Sequence, residues 1–148
     1  MAKPPRLAVR AVVLHENRLL LVNAWKASDR LLCAPGGGVE PHSSLHDNLH
    51  REIMEECGLT IAIGPTCLVN EFHDPAHDYH QVDVYFRCTI TGGDPYGDWT
   101  DPEGIVTTRR WFTRAQMADL TIKPDSLAAV AWGDTDAPDY DPLEPILR

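Results

Sequence analysis

Alternating and periodic runs of apolar residues predict a series of short strands interrupted by one long helix. From Leu7 to Leu14 the sequence LAVRAVVL is rich in β-branched residues, which favour strands. Residues 16–18 are typical of a turn and residues 19–22 resume the apolar run, so the two segments predict a β-hairpin. A further short apolar segment, residues 31–34, ends at a proline followed by three glycines.

A helix is predicted shortly after the glycine run. Ser44, with Asp47 three residues later, is typical of a helix N-terminus, and Gly58 is typical of a helix end. At about 100° per residue, four apolar side chains fall on one stripe of this helix. The stripe, along which the helix is expected to pack on a sheet, consists of Leu45, Leu49, Ile53 and Cys57.

The second half of the chain holds the cleanest strand pattern. Between Val82 and Ile90 apolar residues alternate with polar ones, which is typical of a half-buried strand. Residues 91–104 are rich in glycine, proline and acids and predict a loop. Shorter elements follow, namely a strand over residues 110–112 and helices over residues 114–120 and 126–132.

These elements predict one α/β domain with a mixed central sheet flanked by helices. Strands and helices are interspersed without a repeated parallel βαβ unit, which favours a mixed sheet with helices on both faces. At 148 residues the chain is long enough for one domain and short for two. We expect the domain to span residues 1–132, and residues 133–148, with five acids and three prolines, to form an extended or mobile tail.

The charge balance argues against one class of partner. The chain carries 13 Lys plus Arg against 22 Asp plus Glu, which gives a net charge of −9. Binding to a nucleic-acid duplex depends mostly on Lys and Arg that meet phosphates, so no such partner is expected. A small phosphate-bearing ligand is still compatible with this charge, because a bound divalent cation can reverse the sign of a local site.

Cysteine spacing and the N-terminal sequence predict a soluble, cytoplasmic protein. The four cysteines are widely spaced and form no CxxC pair, which favours free thiols in a reducing compartment over a zinc or redox motif. The N-terminal segment lacks the long apolar stretch of a signal peptide or membrane span, and Arg10 interrupts its short apolar run. We therefore expect no association with a membrane.

Three carboxylates crowd into five positions of the predicted helix. Glu52 and Glu56 lie along one edge of the apolar stripe, and Glu55 lies farther round on the polar side. Carboxylates this close repel one another unless something neutralises them. Mg²⁺ prefers oxygen ligands, and the i, i+3, i+4 spacing places the three side chains within reach of one or two ions. A solvated helix face is the alternative interpretation of such a run.

The segment from Gly37 to Leu59, GGVEPHSSLHDNLHREIMEECGL, resembles the Nudix box. It departs from the box at Ser43, where the family has its first glutamate, and at His42, where a glycine is common. The resemblance implies a Nudix-type α/β/α sandwich like that of the MutT-like hydrolases. It also implies an enzyme that hydrolyses a diphosphate linkage with Mg²⁺ or Mn²⁺. The matching positions are Gly37, Arg51, Glu52, Ile53, Glu55, Glu56, Gly58 and Leu59.

The resemblance also implies roles for individual residues. The metal ions would be bound by Glu52, Glu55 and Glu56 together with Gly37, and Arg51 would orient Glu52. A general base would come either from the helix or from the acidic loop. Glycines let the backbone approach a bound ligand closely, and those expected to do so are Gly36, Gly37 and Gly38.

Two further features complete the predicted site, each with an open alternative. Glu103, in the acidic loop, lies where many family members place an additional metal-binding or base glutamate, although an exposed loop acid would look the same. Trp25 and Tyr79, together with Phe72, are candidates for stacking on the base of a substrate. Ordinary packing is the alternative for these three rings.

The box implies a reaction class without naming the leaving group. Pro75 stands sixteen residues after Leu59, and a proline near this place is common in relatives specialised for ADP-ribose. This favours a small nucleotide-type substrate such as ADP-ribose or a nucleotide sugar, and a nucleoside triphosphate stays open. The alternative function is a non-catalytic ligand-sensing or interaction module. A homodimer, common in the family, is compatible with the sequence.

Overall fold

Strands dominate the chain, and one long helix interrupts them. The computed structural model describes residues 1–26, 28–133 and 137–147. The strands are β1 (Arg6–His15), β2 (Arg18–Trp25), β3 (Ser28–Cys33), β4 (Gly36–Gly38), β5 (Thr60–Asp74), β6 (Tyr79–Gly92), β7 (Arg109–Phe112) and β8 (Asp139–Pro145). The helices are α1 (Leu45–Cys57), α2 (Arg114–Met117) and α3 (Leu127–Ala131), and a 3₁₀ turn covers Pro75–His77.

The strands of the described chain form one mixed sheet. Its main order is β3-β2-β1-β6-β5-β8, while β4 pairs with β1 and β7 pairs with β2. β1 runs parallel to β6, β5 runs parallel to β8, and the other pairs are antiparallel. The β1–β2 hairpin is paired beside its turn, at Leu14–Leu19 and His15–Arg18, and farther along β1 pairs with the glycine strand β4.

Helix α1 begins and ends where the sequence predicts. The Ser44 hydroxyl accepts a hydrogen bond from the Asp47 N–H at 2.9 Å, so Ser44 is the N-cap. Gly58 adopts the left-handed conformation with φ 66° and donates its N–H to the Met54 carbonyl at 3.0 Å, which ends the helix. Ser43 does not cap the helix; its carbonyl oxygen accepts a hydrogen bond from the Asn48 side chain.

Two apolar layers pack on the two faces of the sheet, as a sandwich requires. Side chains alternate along β1, so Val9, Ala11 and Val13 join the layer beneath α1, whereas Val12 joins the layer on the opposite face. The α1 stripe contributes three fully buried side chains to the first layer, namely Leu49, Ile53 and Cys57. The second layer receives Met117 from α2 and Leu127, Val130 and Ala131 from α3. The predicted α/β/α sandwich is confirmed.

The sequence patterns missed strand β5. Residues Thr60–Asp74 form the longest strand, although Gly64 and Pro65 interrupt it. Register shifts between Ile63 and Thr66, and again between Thr66 and Leu68, show how the pairing with β6 absorbs this interruption. A bulge of this kind breaks the two-residue alternation, and that alternation is the signal by which a strand is found in a sequence.

Three other segments differ in detail from the sequence-based expectation. The glycine run, for which the sequence patterns predicted no strand, forms the paired strand β4. Helix α2 stops at Met117, and residues 118–120 continue with 3₁₀-type bonds such as Leu120 N–H to the Met117 carbonyl at 3.2 Å. In the predicted tail, β8 is extended and pairs with β5, while residues 134–136 and 148 lie outside the described residues.

Within the described residues, every helix is too short or too polar to cross a membrane.

Candidate active site

The glycine strand β4 lies against the acidic helix α1. The Gly36 N–H donates a hydrogen bond to Glu56 Oε2 at 3.0 Å. A Cβ at Gly37 would lie 2.7 Å from the carboxyl carbon of Glu52, and a Cβ at Gly36 would lie 1.9 Å from the Val9 carbonyl oxygen. The absence of a side chain at Gly37 is therefore what lets the Glu52 carboxylate lie against β4, and the absence of one at Gly36 lets β4 pair closely with β1.

Arg51 lies among the acidic side chains that the sequence predicts it to orient. Its Nη1 atom is 3.0 Å from Glu52 Oε1, 3.8 Å from Glu55 Oε2 and 4.0 Å from Glu40 Oε1. Its Nη2 atom donates to Asn48 Oδ1 at 2.8 Å, and that amide also accepts from the Glu40 N–H at 2.9 Å. Asn48 thus fixes the position of the guanidinium, which lies close to two of the three predicted metal ligands, Glu52 and Glu55.

Burial makes the charged forms of two helix carboxylates unfavourable in the absence of a cation. Burial raises the pKa of Glu56 to about 8, although Arg10 and the Gly36 N–H act in the opposite direction and Glu52 and Asp101 add to the rise. Burial likewise raises the pKa of Glu52, against the effect of Arg51. A divalent cation between these groups would restore their ionised forms, so the electrostatics of the site favour its binding.

The acidic loop after β6 brings more carboxylates to the same place. Asp101 is 5% exposed and accepts hydrogen bonds from the N–H groups of Glu103 and Val106, both at 2.9 Å. The loop is tied to the end of α1, because Trp99 Nε1 donates to the Glu55 carbonyl at 2.8 Å and Arg109 donates to the Cys57 carbonyl. Asp101 therefore holds the turn that carries Glu103.

Asp101 is a site residue that the sequence patterns did not single out. Its signal is local: the run Asp101-Pro102-Glu103-Gly104 is typical of an Asx turn, in which the first side chain binds the backbone two residues on. A glycine at φ 68° completes the turn. Such a turn predicts loop geometry but not its location, and only the fold places it opposite the helix.

One cavity of about 260 Å³ collects these groups. We call it the acidic half of the cleft; it is lined by all three glutamates of the helix, by Asp101 and Glu103, and by the three glycines of β4. These are oxygen donors, which suit Mg²⁺ or Mn²⁺. Among the described residues, no three His, Cys, Asp or Glu side chains stand ready-made as ligands of one ion.

A second cavity of about 330 Å³ adjoins the first, and we call it the aromatic half of the cleft. Trp25, Phe72 and Tyr79 line it, and the rings of Phe72 and Tyr79 are stacked with centroids 6.2 Å apart and planes 29° apart. The two halves share Arg6, Arg10, Ala24 and Cys33 in their linings. Trp25 and Tyr79 thus lie next to the acidic half but do not line it.

Arg10 is the cation between the two halves. Its guanidinium donates to the Ala34 carbonyl at 3.1 Å and lies 3.7 Å from Asp83 Oδ2. Burial alone would lower the pKa of this guanidinium, but Asp83, Cys33, Tyr85 and Glu56 together outweigh it and raise the pKa. A permanent positive charge is therefore present behind Glu56, where the two halves of the cleft meet.

The raised pKa of Glu56 predicts how the stability of the metal-free protein depends on pH. In the unfolded chain this carboxyl loses its proton near pH 4.5, and in the folded chain near pH 8. Because only the folded state keeps the proton in that window, the contribution of Glu56 is fully present below about pH 4.5. It is lost as the pH rises toward 8, by an amount on the order of a few kcal/mol.

Urea unfolding at pH 5.5 and pH 8.0 measures this effect in chelator-treated protein, with Glu56→Gln as the matched control. We expect the free energy of unfolding to fall with pH more steeply in the wild type than in the variant. Saturating Mg²⁺ should stabilise the wild type more at pH 8.0 than at pH 5.5, because the ion binds the ionised carboxylate. Identical pH slopes for the two proteins would contradict the assignment.

An α/β/α sandwich with a carboxylate-rich cleft between a glycine strand and an acidic helix is the arrangement that the resemblance to the Nudix box implies. The NUDIX domain model matches residues 4–133, and the chain belongs to this family. The MutT-like resemblance predicted from the box is confirmed. Nudix hydrolases in general need divalent metal ions and act on small nucleotide-type substrates.

Curated relatives match part of the chain. "Putative ADP-ribose pyrophosphatase YjhB" of Bacillus subtilis is 33% identical over 92 residues, which cover 60% of this chain and 43% of that protein. "Diphosphoinositol polyphosphate phosphohydrolase 3-beta" of Bos taurus is 32% identical over 98 residues, covering 66% and 56%. The chain thus spans about half the length of the curated relatives it matches.

Solved structures share the fold at low sequence identity. A NUDIX hydrolase from Nitrosomonas europaea has a TM-score of 0.71 at 19% identity, covering 99% of this chain and 82% of that one. An ADP-ribose pyrophosphatase from Streptococcus suis has a TM-score of 0.67 at 19% identity, covering 95% and 100%. These similarities concern the fold, and the substrate has to be argued from the site.

Proposed function

We propose that the chain hydrolyses the diphosphate linkage of a nucleoside diphosphate derivative, ADP-ribose or a nucleotide sugar, with Mg²⁺ or Mn²⁺. The observation that carries this proposal is the joining of the two halves of the cleft at Arg6 and Arg10. A diphosphate placed across that junction would have carboxylates for metal binding on one side and aromatic rings on the other. The names of the relatives support the same reaction class.

The helix glutamates are assigned to metal binding because of what holds them. Glu56 receives the Gly36 N–H, and Arg51 contacts both Glu52 and Glu55, so all three are restrained toward the acidic half. We include the backbone of Gly37 in the ligand set because it lies directly against Glu52. When bound, the cation supplies charge neutralisation at the diphosphate and lowers the pKa of a bound water.

The remaining steps belong to side chains of the chain itself. We assign the general base to a carboxylate of the acidic half, either Glu103 or a helix glutamate, which accepts the proton of the attacking water. Arg10 and Arg6 offset the negative charge of the phosphates at the junction of the halves. Trp25 and Tyr79 orient the remainder of the substrate through their rings, in keeping with their place in the aromatic half.

A substrate panel tests the proposal. Mg²⁺-dependent phosphate release, coupled to a phosphatase, would be measured with ADP-ribose, nucleotide sugars, dinucleoside polyphosphates, diphosphoinositol polyphosphates and nucleoside triphosphates. We expect the largest kcat/KM for ADP-ribose or a nucleotide sugar, and loss of turnover with chelator. Preference for triphosphates would overturn the substrate assignment. Silence across the panel, with tight binding of one compound by calorimetry, would instead establish a sensing module.

Gly37→Ala tests the contact between the glycine strand and the helix. The new methyl group would lie 2.7 Å from the carboxyl carbon of Glu52 and displace this ligand. We expect kcat to fall by roughly a hundredfold, because small misplacements of catalytic groups have effects of that size. Gly92→Ala is the matched control, since its methyl group would meet only the Thr60 hydroxyl, at 2.4 Å, on the far part of β5. Equal activities of the two variants would argue against the contact.

A further inference from the structure

The aromatic half of the cleft has a wall that lies beyond the family-matched residues. Its lining includes Glu144, Pro145, Ile146 and Leu147, which we call the C-terminal wall, whereas the family model ends at residue 133. We infer that the C-terminal wall is a specificity element that receives a flat, uncharged ring of the substrate, namely its nucleobase. This inference rests on the proposed function, because it assigns the part of the substrate that lies outside the acidic half.

Several contacts seat the C-terminal wall on the sheet. Strand β8 runs parallel to β5, with pairs from Leu68–Asp139 to His73–Pro145, and the Ile146 N–H donates to the His73 carbonyl at 3.0 Å. The Ser126 hydroxyl donates to Asp141 Oδ2 at 2.8 Å, which fastens β8 to the start of α3. The wall is therefore part of the fold and is positioned with the precision of a paired strand.

The charges of the aromatic half argue for an uncharged ligand group. Two of its three described cations lie beside carboxylates: Arg10 is 3.7 Å from Asp83 and Lys123 is 3.0 Å from Asp125. The third, Arg6, donates to the neutral amide of Gln81 at 2.5 Å and lies with Arg10 at the junction with the acidic half. The wall adds Glu144, which lies 3.6 Å from Lys123. Beyond the junction, the cation among the described lining residues is Lys123, which is paired with carboxylates, whereas a ring carrying several phosphates needs several unpaired cations. This part of the half therefore suits an uncharged group better.

The remaining lining suits a flat ring with polar edges. Aromatic rings and the apolar side chains of the wall provide surfaces for stacking and burial. Asn70 also lines this half and is 2% exposed, so its amide is the group that would meet the hydrogen-bonding edge of a base. The amide of Gln81, in the same lining, is already bonded to Arg6, Tyr79 and Asp83. The chemistry of the half thus matches a nucleobase, with the C-terminal wall as one of its surfaces.

A matched pair of substitutions tests the wall. Leu147 and Leu143 are similarly exposed, at 40% and 43%, but only Leu147 lines the cavity. Calorimetry would measure binding of AMP, UMP and ribose 5-phosphate to Leu147→Asp and Leu143→Asp. Whichever of AMP and UMP the wild type binds more tightly is the nucleotide to compare. We expect Leu147→Asp to weaken binding of that nucleotide by roughly tenfold or more, since the substitution places a carboxylate against the base. Binding of ribose 5-phosphate should change less than about twofold, as should all binding to Leu143→Asp.

The outcomes separate this inference from the proposed function. Three outcomes would each overturn the inference. The two variants could bind nucleotides equally, Leu147→Asp could lose nucleotide and ribose 5-phosphate binding in parallel, or the wild type could bind no nucleotide. Hydrolysis measured in the substrate panel could persist in all three cases. Conversely, the expected binding pattern without turnover would support the wall and reject the proposed reaction. With active protein, Leu147→Asp should raise KM for ADP-ribose or the preferred nucleotide sugar and leave kcat unchanged.

Discussion

Glu56→Gln is expected to lower kcat for diphosphate hydrolysis by about a thousandfold or more while the protein stays folded. The substitution removes a charge that would bind the cation but keeps an oxygen that can accept the Gly36 N–H, now at 3.0 Å from Glu56. Loss of several kcal/mol of charge stabilisation in the transition state corresponds to this factor. Glu52→Gln is expected to have a similar effect, because it removes the carboxylate that Arg51 orients and that contacts Gly37.

Steady-state kinetics with Mg²⁺ and thermal unfolding of the metal-free proteins would measure the two parts of this prediction. The metal-free Glu56→Gln protein should unfold at or above the wild-type temperature at pH 8, because the variant no longer buries an ionisable group whose charged form is unfavourable. Asp47→Asn is the control, since Asp47 lies in the first turn of the same helix and does not line the cleft. Full turnover in both glutamine variants would reject metal binding by these side chains.

Arg10→Met is expected to reduce the free energy of unfolding by about 3–5 kcal/mol, the usual result of removing one partner of a buried ion pair. The side chain of Asp83 is 3% exposed and would be left buried without the guanidinium beside it. The Glu56 carboxylate would also lose a favourable charge. Urea unfolding at constant pH would measure the loss, and Arg18→Met, on the exposed start of β2, is the matched control.

A double-mutant cycle shows whether the loss arises from the ion pair. Asp83→Asn in the Arg10→Met background removes the unpaired carboxyl group. It supplies an amide oxygen that can accept the hydrogen bond from Gln81 Nε2, which now lies 2.7 Å from Asp83 Oδ1. We expect the double variant to be more stable than Arg10→Met alone, with a coupling energy of roughly 1–3 kcal/mol. Additive losses would mean that Arg10 acts through packing and its bond to the Ala34 carbonyl instead of through Asp83.

Local patterns in the sequence were sufficient for the acidic helix and its neighbours. The cap at Ser44, the stop at Gly58 and the stripe of Leu49 and Ile53 depend on interactions within a few residues, so they are legible without the fold. The position of Glu56 on the edge of the stripe followed from the same helical period. In contrast, β5 was missed because Gly64 and Pro65 break its alternation, and only pairing with β6 makes this segment a strand.

The amino-acid sequence alone determined the family, the mixed sandwich and the helix that carries the carboxylates, because spacing along a helix and strand alternation are properties of neighbouring residues. The tertiary structure alone decided which distant segments meet. It placed Asp101 opposite Glu56, joined the aromatic half to the acidic half at Arg10, and brought Leu147 to the cleft through the pairing of β8 with β5. Such contacts depend on the register and order of strands, and the free energy that selects them comes from burial across the whole sheet.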